Sequence, residues 1–282
     1  MGTGIAFGIA GLPQNFPYSS TVDAPKYLIE FGLDIFEYQS GRGVRISKTL
    51  ADKLLEESKK YNIGLSMHSP YFISLASEDE RIQANSIDYI MQTLKASRAI
   101  GSDRIVVHMG GIGKGTRQKG MANTKVLVER LLSQSKDYND IWICFETMGK
   151  INQLGTVDEV LEICAMSDNF LPCIDFGHLN ARTLGGIKTK QDYMDIFNAI
   201  ENKLGNERMR KVHIHFSKIM YTIGGEKMHL TFEDEEYGPN PDLMLEAIIE
   251  KKAQPVIICE SAGTQDIDAK YMKNRYEELL NK

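Results

Sequence analysis

A chain of 282 residues, 42% hydrophobic and 25% charged, has the composition of a globular protein and is long enough to bury a sizeable core. Its formal net charge of −5 excludes a general attraction to nucleic acid or anionic membrane, so a polyanionic partner would need a local basic patch or metal ions. The N-terminal segment lacks signal-peptide features, and no apolar run approaches about 18 residues. We therefore expect a monomeric, cytoplasmic protein without a membrane partner.

Short apolar runs rich in β-branched residues alternate along the chain with segments of helical periodicity, a pattern that predicts repeated βα units. The eight predicted strands cover residues 4–9, 33–38, 63–68, 103–108, 140–146, 170–175, 211–216 and 255–260. Helical patterns lie between them, including those at 48–61, 79–101, 156–166, 190–205 and 241–252. Barrels of eight such units typically have about 250 residues, so the sequence predicts a single-domain (β/α)8 TIM barrel over residues 1–282.

A doubly wound open sheet is the alternative fold. A dinucleotide-binding fold of that type would place a G-x-G-x-x-G motif after the first strand, and the sequence has none there. The glycine-rich run at 110–115 lacks the Lys-Ser/Thr ending of a phosphate-binding loop, and we interpret it as a flexible βα loop. Four single cysteines without C-x-x-C spacing are expected to be core residues of a protein in a reducing compartment. They are Cys144, Cys164, Cys173 and Cys259.

Histidines and carboxylates gather at the carboxyl ends of the predicted strands, where the catalytic face of such a barrel lies. They are His68, His108, Glu146, Asp175, His178, His213 and Glu260, with His229 in the long loop after the seventh strand. Nitrogen and oxygen ligands without thiolates suit a catalytic Zn²⁺ or Mn²⁺ site better than a structural zinc site. Eight ligands exceed the need of one ion. A carboxylate that bridges ions about 3.5 to 4 Å apart would allow two or three metals to act on one displacement.

Three segments resemble motifs of the endonuclease IV (AP endonuclease family 2) group of xylose-isomerase-like barrels. Residues 67–77, MHSPYFISLAS, resemble its His-Ala-Pro-Tyr-x-x-x-Leu-Ala-Ser segment, and residues 145–155, FETMGKINQLG, resemble its Glu-Asn-x-x-Gly-x-x-x-x-Leu-Gly segment. Residues 174–181, IDFGHLNA, resemble its Asp-x-x-His segment. The resemblance covers nearly the whole chain and implies a divergent member of the group. It would hold zinc ions at the barrel mouth and hydrolyse the DNA phosphodiester 5′ to an abasic site, in base excision repair.

The resemblance also implies a role for each strand-end residue. His68 and His108 would bind one ion, and Glu146 would bridge to a second. The second ion would be completed by Asp175, His213 and Glu260, and the third would be held by His178 and His229. Either glutamate, Glu146 or Glu260, would orient the nucleophile.

The sequence departs from the family pattern at two ligand positions. The family's Asp-x-His motif is replaced by Lys227-Met228-His229, which leaves Glu226 one residue out of register. The segment VHIHFSK stands where the family has His-Leu-Asn-Asp-x-Lys, and its spacing assigns the ligand to His213, although His213 and His215 could exchange roles.

Substrate contacts are expected from two βα loops on the same face. Their cations are placed to position phosphates, although exposed cations are often simply solvated. They are Arg42 and Arg45 in one loop, and Lys114, Arg117 and Lys119 in the other. Tyr71 could stack on a base or sugar or pack within its loop, and Gln153 could contact a phosphate or orient a ligand.

Two other functions remain open from the sequence. A sugar isomerase or epimerase would pair one Mn²⁺ or Mg²⁺ ion with Glu146 and Glu260 on opposite sides of a small sugar or sugar phosphate. That function leaves most of the histidines less well used. A metal-dependent binding module without catalysis is disfavoured because both strand-end glutamates are present. The sequence therefore favours phosphodiester hydrolysis.

Overall fold

The computed structural model describes residues 4–281, in which eight parallel strands close into a barrel. The barrel strands are β1 (Ala6–Ala10), β2 (Ile35–Gln39), β3 (Gly64–His68), β4 (Arg104–Val107), β5 (Trp142–Glu146), β6 (Phe170–Asp175), β7 (His213–Phe216) and β10 (Val256–Cys259). Each strand pairs with the next, and β10 pairs with both β7 and β1. The predicted (β/α)8 barrel is confirmed, and all eight predicted strands are present with ends shifted by at most two residues. Residues 1–3 and 282 of the predicted domain lie outside the described residues.

Ten α-helices are described, and most of them surround the barrel. They are α1 (Ala24–Phe31), α2 (Lys48–Tyr61), α3 (Glu80–Ile100), α4 (Arg117–Gln134), α5 (Val157–Cys164), α6 (Phe176–Arg182), α7 (Lys190–Leu204), α8 (Asn206–Arg210), α9 (Pro241–Glu250) and α10 (Gln265–Leu280). Helix α3 shows why the predicted helical segments form: Asp79 caps its N-terminus, and Gly101 ends it in the left-handed conformation with φ of 76°. Within residues 4–281, none of the helices is both long and apolar enough to cross a membrane.

The main hydrophobic core fills the layer between the barrel and the helices. Every second residue of a strand faces the helices. In β5 these residues are Ile143 and Phe145, which belong to the same core as helix residues such as Leu94. The intervening residues point into the barrel, where small apolar clusters fill the lower part. All four cysteines are buried and unpaired, which confirms that they are core residues. Glu146 and Asp175 also face inward, so the polar residues at the strand ends meet at the mouth of the barrel. The layer below them holds apolar side chains together with the buried Glu37, Ser66 and His213.

Two elements near the barrel mouth were not predicted from the sequence. Strands β8 (Ile219–Thr222) and β9 (Gly225–His229) form an antiparallel hairpin after β7, and the short helix α6 follows β6 directly. The hairpin leans on the loop after β5, where the amide of Glu226 donates to the carbonyl of Gly149 at 3.1 Å. A Cβ atom at Gly225, whose φ is +90°, would lie 2.1 Å from that carbonyl oxygen, so this contact requires glycine. Both elements bring polar side chains to the mouth.

Candidate metal centre

Four groups of potential metal ligands occur among the described residues, and three of them meet at the carboxyl ends of the barrel strands. The fourth, Cys173, His213 and His215, reaches one layer lower into the barrel. The first group is His68, His108 and Glu146; the second is Glu146, Asp175, His215 and Glu260; the third is His178, Glu226 and His229. Within each group, one ligand atom from every residue lies within 4.8 Å of the others. Glu146 belongs to two groups, so the structure joins them through one carboxylate.

Glu146 points its two oxygens at different groups. Its Oε2 atom lies 3.2 Å from Nε2 of His68 and 2.8 Å from Nε2 of His108, whereas its Oε1 atom lies 3.2 Å from Nδ1 of His215. Burial would raise the pKa of Glu146, but His108, His215 and His178 outweigh burial and hold the pKa well below its usual range. An ionised carboxylate with its oxygens directed to two groups has the geometry of a bridging ligand.

Hydrogen bonds to protein oxygens orient three of the histidine rings. Nδ1 of His68 lies 2.7 Å from the carbonyl oxygen of Ser69, and Nδ1 of His178 lies 3.0 Å from that of Thr147. Nδ1 of His229 lies 2.9 Å from Oγ of Ser217. A carbonyl oxygen can only accept, so Nδ1 of His68 and Nδ1 of His178 donate, whereas the Ser217 hydroxyl orients the ring of His229 without determining its tautomer. These contacts leave Nε2 of each ring directed toward the site.

The structure places the two histidines of β7 in different layers of the barrel. Both point into the barrel, but His215 pairs in register with Asp175 at the mouth, whereas His213 pairs with Cys173 one layer lower. Both imidazoles are fully buried, but it is His215 whose ligand atom lies within 4.8 Å of those of Glu146, Asp175 and Glu260. His215 therefore takes the place in the second group that the sequence-based spacing gave to His213.

A β-bulge supplies the carboxylate that the sequence placed out of register. In the β8–β9 hairpin, Met220 pairs with Met228 and Tyr221 pairs with Glu226, so Lys227 is an extra, unpaired residue. Residues three apart point to opposite sides of a regular strand, but one bulged residue between them restores the same side. Glu226 and His229 therefore face the site together, and Oε2 of Glu226 lies 3.5 Å from Nε2 of His178.

The donor set fits divalent cations. Asp175 is fully buried, and its Oδ2 atom accepts no well-directed hydrogen bond, although Nδ1 of His178 lies 3.0 Å away. Burial would lower the pKa of His178, but Asp175 and Glu146 outweigh burial and hold the pKa of that imidazole well above its usual range. A metal ion can bind between a protonated imidazole and a carboxylate that lacks hydrogen-bond donors, because the ion takes the place of the imidazole proton. Imidazole nitrogens and carboxylate oxygens together suit Zn²⁺ or Mn²⁺.

A cavity of about 310 Å³ lies above these groups. Two of the predicted substrate residues line it: Tyr71, which is 62% exposed, and Gln153, whose Oε1 atom is buried without a hydrogen-bond partner. Lys150 was not predicted, and it is the only lysine or arginine among the described residues that line the cavity. The sequence offered no periodic signal for Lys150, because it follows Glu146 in an irregular loop.

The other predicted cations are placed differently. Arg42 and Arg45 are exposed in the loop between β2 and α2 and do not line this cavity. Lys114 lies beside a separate surface depression with Glu78, and Lys119 pairs with the same Glu78 at 2.7 Å. Their contact with a substrate stays a prediction.

Two arginines hold the loop that carries Lys150 and Gln153. Arg117 donates to the carbonyl oxygen of Gln153 at 2.9 Å and to that of Ile151 at 2.8 Å. Arg182 donates to the same two carbonyls at 3.1 and 3.3 Å, and to the carbonyl of Lys150 at 2.8 Å. Because both guanidinium groups are engaged by this loop, they fix its backbone at the edge of the cavity.

Comparison with known sequences supports the motif-based resemblance. The chain is 33% identical to an uncharacterised protein of Methanocaldococcus jannaschii over 98% of both chains. It is also 28% identical to a probable endonuclease 4 of Mycoplasma genitalium over 175 residues, which are 60% of this chain and 58% of that protein. The chain thus matches less than two thirds of that endonuclease's length, and the predicted similarity to endonuclease IV is confirmed in sequence.

Solved structures share the fold. A D-tagatose 3-epimerase-like protein superposes with a TM-score of 0.75 at 21% identity, covering 98% of both chains. Endonuclease IV from Thermus thermophilus gives a TM-score of 0.73 at 16% identity, covering 97% of this chain and 99% of that one. Residues 25–276 match the sequence profile of the xylose isomerase-like TIM barrel family. With the closed barrel and the profile in agreement, the chain belongs to the xylose isomerase-like TIM barrel family.

Proposed function

We propose that the protein is a zinc-dependent phosphodiesterase that hydrolyses DNA 5′ to abasic sites in base excision repair. One observation carries this proposal: three ligand groups converge at one mouth, and two of them share Glu146. A single ion would use only one group, whereas displacement at phosphorus benefits from cations on both the attacking and the leaving oxygen. The sequence similarity to a probable endonuclease 4 supports the same substrate class.

In this proposal the chain's own residues hold and orient the reactants. The three groups would bind up to three ions, with His215 in the place that spacing gave to His213 and Glu226 as the carboxylate of the third group. Bound zinc would polarise the phosphoryl oxygens and lower the pKa of water. Glu260 has a side chain 16% exposed, and its Oε1 atom lies 3.6 Å from Nδ1 of His215. It also lines the cavity, so its carboxylate is placed to orient an attacking water.

The rim of the cavity suits a distorted nucleic acid. Tyr71 lines the cavity and is 62% exposed, and Phe72, which is 41% exposed, packs against it with the ring centroids 5.6 Å apart. Exposed aromatic rings beside a positive group can stack on bases or sugars that have left the helical stack. Lys150 supplies a local positive charge to a phosphate in a protein whose net charge is −5.

A sugar isomerase or epimerase is the second candidate. The cavity of about 310 Å³ is within the size range of small-molecule sites, and Glu146 and Glu260 both belong to the second ligand group. This function would employ one ion with two glutamates as proton-transfer groups. It leaves the first and third ligand groups without a role, which is why we place it second.

A gel assay distinguishes the two functions. Zinc-loaded protein, with its metal content measured, is incubated with an end-labelled duplex that carries one abasic site. We expect cleavage 5′ to the lesion, and a loss of rate of about 100-fold or more in Glu146→Gln. An intact duplex with the ions verified as bound would contradict the proposal. Turnover of a sugar or sugar phosphate by the same sample would then support the second candidate.

A further inference from the structure

Glu37 is a buried carboxylate that lies inside the barrel below the metal centre. It belongs to β2, points inward and has no exposed surface. Ser66 donates to its Oε2 atom at 2.9 Å, and Nε2 of His213 lies 3.1 Å from the same oxygen. On the other oxygen, Gln39 donates to Oε1 at 3.1 Å. A charged group buried this deeply needs hydrogen-bond partners. The three partners above leave Oε1 able to accept from one more donor.

That neighbour is His215. Its Nε2 atom lies 3.0 Å from Oε1 of Glu37. The oxygen lies away from the direction of the ring N–H bond, so this close contact is not a well-directed hydrogen bond. The opposite nitrogen, Nδ1, lies 3.2 Å from Oε1 of Glu146 and 3.6 Å from Oε1 of Glu260. The ring therefore stands between a carboxylate below and the second ligand group above.

His215 faces the centre the other way round from its neighbours. His68 and His229 turn Nδ1 toward protein oxygens and leave Nε2 for the site. His215 presents Nδ1 to the site, so its Nε2 atom is the one that needs a fixed acceptor. Glu37 is the carboxylate at that position, and Ser66 and His213 contact its other oxygen, Oε2.

We propose that Glu37 is a positioning residue that keeps the Nε2 proton on His215 and directs Nδ1 to the second ligand group. The proposal rests on the proposed function only in taking that group to bind a cation. Partners of ligating histidines typically alter metal affinity by 10- to 100-fold, because they fix both the tautomer and the ring orientation. Glu37 would set the affinity of the second group while touching neither the ion nor the substrate.

The ring nitrogens can be observed in the wild-type protein. In zinc-loaded protein with ¹⁵N-labelled histidine, long-range ¹H–¹⁵N spectra report which nitrogen of each ring carries the proton. We expect His215 to carry its proton on Nε2 and to coordinate through Nδ1, whereas His68 coordinates through Nε2. Coordination of His215 through Nε2 would overturn the proposal, and this measurement needs no variant that must fold.

Glu37→Gln and Ser66→Ala form a matched pair. Both remove a partner from the same buried cluster, but Ser66 contacts Oε2 of Glu37 rather than the oxygen beside His215. Zinc affinity is measured by competition with a chromophoric chelator, without DNA. We expect Glu37→Gln to weaken the affinity for one zinc ion by 10- to 100-fold. Ser66→Ala should leave the affinity for every zinc ion unchanged. The Co²⁺ absorption spectrum should change only in the glutamine variant.

Two failures are distinguishable. Equal zinc affinity in wild type and Glu37→Gln would overturn the role of Glu37, whatever the protein does to DNA. Wild-type protein that binds zinc with the expected difference, yet leaves abasic DNA intact, would contradict the proposed function alone. Wild-type protein that binds no divalent cation would overturn both.

Discussion

At the scale of single residues, Lys150 provides a test of the substrate's charge. A lysine that contacts one phosphate contributes about one counterion to the salt dependence of binding. We expect Lys150→Met to weaken binding to abasic duplex and to reduce the slope of log affinity against log salt by about one. Lys150→Arg should keep the slope. A slope unchanged in Lys150→Met, measured by fluorescence anisotropy, would remove Lys150 from the substrate site.

Single residues also show where sequence reasoning stops. The strand-end pattern named His68, His108, Glu146 and Asp175, all of which the structure brings together. It favoured His213 over His215 by spacing but left the choice within β7 open, because predicted strand ends carry an error of about two residues and two residues move a side chain by roughly 6 to 7 Å along the strand. That distance separates the layer of His213 from the layer of His215. Glu37 was missed because an acidic residue inside a strand gives no positional signal.

At the scale of elements, the bulge in β9 predicts that deletion of Lys227 preserves the third ligand group. Removing Lys227 leaves the carboxylate and the imidazole two residues apart, which is the same-side spacing of a regular strand. We expect this deletion to retain the zinc ion of the third group, whereas one alanine inserted between Met228 and His229 should lose it. Metal analysis of both variants provides the check. Loss of the ion on deletion and retention on insertion would show that the bulge does not position Glu226.

The contacts of Glu159 with Arg117 lead to a prediction about the stability of the protein at acidic pH. Burial would raise the pKa of Glu159, but hydrogen bonds from Arg117 and from the amides of Gly155 and Thr156 outweigh it and lower the pKa. The ionised carboxylate therefore stabilises the fold above its unfolded pKa, and this stability is lost as the pH falls through the lowered folded pKa. We expect Glu159→Gln to cost about 1 to 2 kcal/mol at pH 7 and less below about pH 4. Urea unfolding at both pH values measures this, and a cost independent of pH would contradict it.

Elements were predictable to different degrees for a physical reason. Parallel strands are covered on both sides, so they appear as continuous apolar runs such as Ile105–Val107, and all eight were found. The β8–β9 hairpin lies on the rim and is half exposed, so its residues carry no continuous run or clean alternation. Helix α6 has only seven residues, too few to establish a helical period. Both missed elements contribute ligands, and the unpredicted bulge in the hairpin explains why Glu226 was left out of the third group in the sequence.

At the scale of the whole molecule, ion binding and folding should be linked. Four carboxylates meet at the mouth, and cations that bind only the folded chain add stability by about 2.7 kcal/mol when present at 100 times their Kd. We expect EDTA to lower the Tm by roughly 5 to 10 °C, and zinc to restore it. Glu146→Gln should show a smaller change on chelation. A wild-type Tm that is the same with and without EDTA would mean that the centre does not bind ions in the folded protein.

The most direct test of the account is the number of zinc ions in each protein chain, measured by inductively coupled plasma mass spectrometry on zinc-loaded, buffer-exchanged protein. The three ligand groups at the barrel mouth, two of which share Glu146, predict three ions in the wild type and two in Glu226→Gln. That number is what separates a phosphodiesterase with several ions from a one-ion sugar enzyme. One ion in the wild type, with no loss in Glu226→Gln, would contradict the multi-ion centre and the function built on it.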